Sequence, residues 1–121
     1  MIKTRAAQGF RPLVLAAGML LAGMAQAHMA MTGSQPADQQ VMTSAPAALS
    51  LDFSKAVNLI SVTLTDASGE QRELKVNRKA RETHHEVKVP TLTAGAYQVK
   101  WTCLGGDGHK MSGNFAFSIA P

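Results

Sequence analysis

The stretch "AYQVKWTCL", residues 96–104, decides the fold. Apolar and polar side chains alternate along it, with the apolar set at Tyr97, Val99, Trp101 and Cys103. Because successive side chains of a β-strand point to opposite faces, this alternation predicts a strand with one buried face and one solvated face. The same spacing predicts that Cys103 is a small buried side chain rather than an exposed thiol.

The same alternation recurs along most of the chain. The predicted inward-facing sets are Leu49, Leu51 and Phe53; Ile60, Val62 and Leu64; Leu74 and Val76; Val87 and Val89; and Phe115, Phe117 and Ile119. Turn-forming residues separate them, at 66–69, at Pro90, at 94–95 and at 105–108. About seven short strands without helical periodicity predict a single all-β domain, an immunoglobulin-like β-sandwich or Greek-key β-barrel.

Residues 1–27 have the pattern of a secretory signal peptide. Basic residues precede an apolar run of 13 residues, and Ala25-Gln26-Ala27 fits the small-residue cleavage pattern. The apolar run is shorter than the ~20 residues that span a bilayer as a helix, which leaves an uncleaved anchor as the weaker alternative. We therefore expect export and a domain of residues 28–121 that begins with His28.

Most of the net positive charge of the chain, three of four units, belongs to this leader. Three of the twelve lysines and arginines lie in residues 1–27, so nine remain against eight aspartates and glutamates. A net charge near +1 gives no reason to expect a nucleic-acid or membrane-surface partner. The basic cluster at Arg78, Lys79 and Arg81 is predicted to be a solvated loop, and the single cysteine excludes an internal disulfide.

The stretch "GGDGHKMSG", residues 105–113, carries the chemistry. In an extended segment the side chains of Asp107 and His109 point to the same side, so a carboxylate and an imidazole converge. After cleavage, His28 adds an α-amine and a ring nitrogen. This set of three nitrogens and one oxygen suits tetragonal Cu(II) best among common ions. An Asp turn beside a solvated histidine is the structural alternative.

Longer motifs extend over the rest of residues 28–121. They are "HMAMTGSQPAD" (28–38), "LSLDFS" (49–54), "AGAYQVKW" (94–101), "DGH" (107–109) and "SGNFAFSI" (112–119). Together they resemble the CopC-type periplasmic copper-binding proteins, which include the YobA group. The resemblance implies a Greek-key β-barrel of immunoglobulin-like appearance. It also implies that one Cu(II) is held by His28, Asp107 and His109.

The resemblance further implies a role in copper sequestration, trafficking or resistance. An inner-membrane copper transporter of the CopD type is the partner that it suggests. Three departures concern the site. Lys55 stands where the family has Glu, and Thr102 follows Trp101 where the family has Arg. Gly105-Gly106 stand where the family has a serine before Asp-Gly-His. The chain also lacks the methionine-rich insertion of Cu(I)-binding members, so a Cu(II)-only protein is expected.

Other soft or imidazole donors are predicted to be structural. Met31 is expected to pack in the core, and Met29, Met111 and Cys103 are the less favoured candidates for Cu(I). His84 and His85 point to opposite faces of a strand and so do not share a metal. His85 follows the inward parity of Val87, while His84 faces solvent.

Three functions from different classes remain. The favoured one is a monomeric copper-binding protein that is not an enzyme. An N-terminal histidine with its amine also resembles the copper brace of lytic polysaccharide monooxygenases, which makes a mono-copper redox enzyme the second. Against it, 94 residues whose aromatics are committed to the core leave little room for a flat substrate surface. A metal-free structural β-sandwich is the third.

Overall fold

The computed structural model describes residues 31–121. It contains the strands β1 (Met31–Gln35), β2 (Gln40–Met42), β3 (Ala48–Asp66), β4 (Gln71–Leu74), β5 (Arg81–Lys88), β6 (Gly95–Leu104) and β7 (Lys110–Ile119). They form one curled sheet in the order β1-β3-β6-β7-β2, with β4 and β5 also paired to β3. Within these residues there is no helix, and hence none that would span a bilayer. The predicted all-β sandwich fold is confirmed.

Strand β3 is longer than predicted, because its 19 residues join two of the predicted strands. Its buried side chains are Leu49, Leu51, Phe53, Val57, Leu59, Val62 and Leu64. The alternation changes phase between Leu59 and Val62, where the pairing with β6 also shifts register. The prediction that Ile60 faces the core was wrong: Ile60 is only half-buried, because one extra residue at the irregularity reverses the facing of the strand.

The core lies between the inward faces of β3, β6 and β7. The predicted β6 set is buried, with Val99 and Cys103 fully so, and it pairs with a buried β7 set of Phe115, Phe117 and Ile119. Tyr97 stacks on Phe117 at 5.4 Å between ring centroids and donates its hydroxyl hydrogen to the backbone carbonyl of Thr93 at 2.7 Å. A buried side chain of this size contributes about 1.5–3 kcal/mol to folding.

Two predicted strand residues lie just outside the strands. Strand β4 ends at Leu74 and β5 ends at Lys88, so Val76 and Val89 belong to connections. Both are half-buried and pack against the core. Packing therefore explains why both residues are apolar, although the predicted strands extended one or two residues beyond the observed ends.

Trp101 and Gly113 are direct partners across β6 and β7. A Cβ added to Gly113 would collide with Trp101 Cζ2 and would lie 2.8 Å from Cε2. The indole also meets Phe53 edge-on, with 5.2 Å between ring centroids. Glycine at 113 therefore lets a large aromatic side chain lie flat over β7, next to the β6–β7 turn.

Strands β1 and β6 follow the same edge of β3. At Asn58, β3 pairs with β5 on one edge and with β6 on the other, whereas at Asp52 it pairs with β5 and β1. Because β5 is one continuous strand, it marks one edge, and β1 and β6 share the opposite one. Both run antiparallel to β3, so the start of β1 at Met31 and the end of β6 at Leu104 approach residues 54–57 from the two sides.

Candidate metal centre

The predicted turn between β6 and β7 is confirmed at residues 105–109. The backbone N–H of Gly105 donates to the carbonyl of His109 at 2.9 Å, and that of Gly108 donates to the carbonyl of Gly105 at 3.0 Å. Gly108 has φ = 88°, a left-handed conformation that side chains with a Cβ rarely adopt. A glycine is therefore required at position 108 for the turn to close.

The structure brings Asp107 and His109 together. The backbone N–H of His109 donates to Asp107 Oδ1 at 3.0 Å, and His109 Nδ1 lies 3.0 Å from Asp107 Oδ2. The predicted reason, an extended segment, was wrong, because both residues precede β7 and belong to the turn. The local bond from Asp107 to the backbone two residues on, a common aspartate turn, produces the convergence instead.

The carboxylate of this pair is held in its charged form. The backbone N–H of His109 lowers the pKa of the Asp107 carboxyl below its usual value, and the charge of His109 lowers it further. The Asp107 and His109 side chains are 68% and 81% exposed. The Asp107 carboxylate is therefore ionised as a metal requires, and a metal reaches both side chains directly from solvent.

The described residues supply two of the three predicted ligands. Residues 31–121 contain no group of three or more His, Cys, Asp or Glu side chains arranged to hold a metal. The third predicted ligand, His28, lies outside the described residues, as do Met29 and the predicted signal peptide 1–27. The predicted set of three ligands therefore extends beyond the residues that the structure describes.

The structure adds a neighbour that sequence reasoning missed. Arg81 is the first residue of β5, not part of a loop, and its Nη1 donates to Asn58 Oδ1 at 2.8 Å. A Cβ added to Gly106 would collide with Arg81 Nη2, so the guanidinium lies directly against the β6–β7 turn. Arg78 and Lys79 do lie in the predicted exposed loop, although Arg78 Nε donates to the carbonyl of Ile60 at 3.0 Å.

The adjacent histidines face opposite ways, as predicted. His85 is buried, and its Nε2 lies 3.0 Å from the backbone carbonyls of Val57 and Glu82. His84 is exposed and lies on the outer surface of β5. Because His85 is buried and its Nε2 lies against two backbone carbonyl oxygens, this histidine has a structural role in the core.

His84 has two carboxylate neighbours. Its Nδ1 lies 2.6 Å from Asp52 Oδ1, while its Nε2 lies 3.8 Å from Glu86 Oε2. The hydrogen bond that the ring donates to the Asp52 carboxylate raises the pKa of the imidazole. Because the carboxylates approach opposite ring nitrogens, they do not converge on one point, and the arrangement stabilises a proton rather than a metal.

The sulfur side chains of the described residues belong to the core or its edge. Cys103 is fully buried, as predicted, and burial raises the pKa of its thiol. Met111 is its direct partner on β7, and Met31 and Met111 pack half-buried against the core. The predicted packing role of Met31 is confirmed.

Comparison with known proteins links this chain to one family. The model of the CopC domain matches residues 31–120. The chain is 30% identical over 118 residues to Copper resistance protein C of Pseudomonas syringae pv. tomato, which covers 88% of this chain and 91% of that protein. It is also 30% identical over 98 residues to protein YobA of Escherichia coli strain K12, covering 77% and 79% of the two chains.

A solved structure shares the fold. CopC from Methylosinus trichosporium OB3b superposes with a TM-score of 0.68 and 24% identity, covering 78% of this chain and 95% of that one. The seven-stranded fold, the match to the CopC domain and the relatives named above all indicate the same family. The chain belongs to the CopC domain family, a family of copper resistance and transport proteins.

Proposed function

We propose that the protein is a periplasmic copper carrier that binds one Cu(II) through His28, Asp107 and His109. Its role is sequestration, trafficking or resistance, and an inner-membrane transporter of the CopD type is the proposed recipient. The relative from P. syringae is named for copper resistance, which supports a copper-related role. Export follows from the signal-peptide pattern of residues 1–27.

The observation that carries the proposal is the pairing of Asp107 with His109. Their facing oxygen and nitrogen atoms lie 3.0 Å apart. Two neighbouring ligands on a tetragonal ion, each at roughly 2.0 Å from the metal, are separated by about 2.8 Å. A small movement therefore places both atoms on one ion, with Asp107 as the anionic donor.

The topology supports a contribution from His28. Residues 28–30 give about 10 Å of reach from the start of β1, at roughly 3.3 Å for each extended residue. The start of β1 and the end of β6 approach the same stretch of β3 along one edge. A free α-amine at His28 adds a second nitrogen from the same residue, and its deprotonation makes affinity rise with pH.

Binding rather than catalysis is proposed because no substrate platform accompanies the pair. The aromatic side chains within residues 31–121 are all buried: Phe53, Tyr97, Trp101, Phe115 and Phe117. A carboxylate at the metal also occupies a position that an oxygen-activating copper keeps open. The protein is proposed to act as a monomer.

Mass spectrometry of the exported protein, with and without Cu(II), tests the proposal. Denaturing spectra give the mature N-terminus, expected at His28, and native spectra give the copper stoichiometry, expected to be one. The double variant Asp107→Asn, His109→Ala provides the matched control and is expected to remain metal-free. Equal copper loading of the double variant would refute the proposed ligands.

A further inference from the structure

Positively charged side chains lie near the β6–β7 turn, residues 105–109. Arg81 contacts it at Gly106, Lys110 follows it directly, and Lys55 lies in the stretch of β3 that β1 and β6 approach. Among residues 31–121, no lysine or arginine nitrogen lies within 4.0 Å of a carboxylate oxygen, since the ion pairs found there involve only histidines. The cations near the turn are therefore not neutralised by the described residues.

Two acidic residues lie next to the turn or to Arg81. Asp107 is part of the turn itself, and Glu82 follows Arg81 and is exposed. Within the described residues, neither carboxylate lies within 4.0 Å of an Arg81 nitrogen. The guanidinium therefore lies against the turn without a carboxylate partner. A dication bound at the turn adds like charge beside it, and like charges repel.

Arg81 is oriented for recognition. Arg81, Asn58, Leu104 and Lys110 form one lateral row across β5, β3, β6 and β7, so their side chains share the outer face. The side chain of Asn58 fixes the guanidinium on one side by accepting from Arg81 Nη1, while its own Nδ2 donates to the carbonyl of Arg78 at 3.0 Å. The absence of a side chain at Gly106 lets the guanidinium reach the turn.

We propose that the site takes up Cu(II) together with a small carboxylate anion, which the guanidinium of Arg81 binds beside the metal. This inference rests on the proposed function and names the form in which the metal is carried. A guanidinium presents paired N–H donors that match the two oxygens of a carboxylate. A dicarboxylate places one carboxylate on Arg81 and the other on copper, and it offsets the positive charges of the unpaired guanidinium and of the metal beside it.

The first experiment uses the copper-free protein and malonate as the probe. Titration followed by ¹H–¹⁵N NMR is expected to give saturable shifts at the Gly106 amide and the Arg81 Nε–H. Arg81→Gln is expected to weaken malonate binding about tenfold or more, as for loss of a charge-assisted bidentate contact. Arg72→Gln removes an exposed arginine on β4 and serves as the matched control, with unchanged binding expected.

Arg81→Lys separates charge from geometry. The lysine keeps the positive charge but lacks the paired N–H donors of the guanidinium. The affinity of this variant for malonate is therefore expected to fall between those of wild type and Arg81→Gln. Binding to Arg81→Lys as tight as to wild type, or equal binding to Arg81→Gln and wild type, would overturn the role assigned to the guanidinium.

The second experiment adds Cu(II) and records its electron paramagnetic resonance spectrum. Malonate is expected to change the spectrum of wild type at lower concentration than acetate, and to need about tenfold more in Arg81→Gln. A copper spectrum insensitive to malonate would overturn this inference while leaving the copper-carrier proposal intact. Malonate binding to the apo protein without any copper binding would instead remove the copper carrier and, with it, the ternary site.

Discussion

One carboxylate of the β6–β7 turn contacts His109 twice: Asp107 Oδ1 accepts the backbone N–H, and Oδ2 lies 3.0 Å from the ring Nδ1. The backbone bond does not depend on the imidazole. Removal of the imidazole therefore leaves the carboxylate oriented, whereas removal of the carboxylate frees the ring. The two side chains can accordingly be tested one at a time.

His109→Ala is expected to weaken Cu(II) binding more than Asp107→Ala does, because an imidazole gives Cu(II) a stronger bond than a carboxylate. A loss above the about 10–100-fold typical of changed outer partners is expected for His109→Ala. Competition with a chromogenic chelator measures both. The control is His84→Ala, which removes an exposed histidine outside the site and is expected to leave affinity unchanged. The opposite pattern would mean that the ligand histidine lies on β5.

Addition of one alanine before His28 is expected to weaken Cu(II) binding. The extra residue moves the free amine away from the His28 ring and turns the original amine into an amide, which is a poor ligand at neutral pH. The same competition assay compares proteins whose N-termini have been verified by mass spectrometry. Equal affinity for the native and extended chains would exclude the α-amine as a ligand.

Reduction is expected to release the metal. The proposed donors are an amine, two imidazoles and a carboxylate, whereas Cu(I) favours soft sulfur ligands and low coordination. After ascorbate is added, a Cu(I) chelator should remove the copper that a modest Cu(II) chelator leaves in place. Cys103→Ser tests the buried thiol and should behave like wild type. Cu(I) retention that disappears in Cys103→Ser would assign the thiol to copper.

The pair formed by His84 and Asp52 is expected to make stability depend on pH. The hydrogen bond that His84 donates to the Asp52 carboxylate raises the pKa of His84 above its unfolded value. The stabilisation is therefore fully present below about pH 6.5 and is lost as the pH rises through the folded-state pKa. Urea midpoints of wild type and Asp52→Asn should differ more at pH 5.5 than at pH 9. A difference that grows toward pH 9 would contradict this sign.

Gly113→Ala is expected to destabilise the fold. Its methyl group would overlap the Trp101 indole, and overpacking of this kind costs about 1–3 kcal/mol. The melting temperature of a domain of this size should fall by roughly 4–8 °C for each kcal/mol. Gly33→Ala is the control, because a Cβ at that strand position meets nothing within 4 Å. Similar melting temperatures for the two variants would mean that the indole moves aside.

Local alternation predicted most of the fold. In β6, polar and apolar residues alternate without interruption, so the four inward positions from Tyr97 to Cys103 were assigned correctly. In β3, a single extra residue at Ile60 changes which of the following side chains point to the core. No local pattern distinguishes such an irregularity from a break between two strands. Ile60 is apolar in either case, so its hydrophobicity gives no signal.

The candidate site was predictable only in part. Asp107 and His109 are close in the sequence, whereas Arg81 reaches their turn from a distant part of the chain. Asp107 and His109 are two residues apart, so their spacing made their proximity predictable, although a turn and not an extended segment produces it. Arg81 approaches the same turn from a strand 25 residues earlier in the chain. Its position depends on which strands pair with β3, and sequence periodicity carries no information about partners.

The exposure of the Asp107–His109 pair has a consequence for the rate at which metal leaves. Both side chains are more than two-thirds open to solvent, so within the described part of the chain no segment has to move before another ligand reaches an ion held there. Exchange then proceeds by substitution, in which an incoming donor replaces one bond at a time. The residence time depends on the concentration and chemistry of the acceptor rather than on a motion of the carrier. A carrier of the proposed kind would retain copper in dilute solution and release it promptly on meeting a chelating partner.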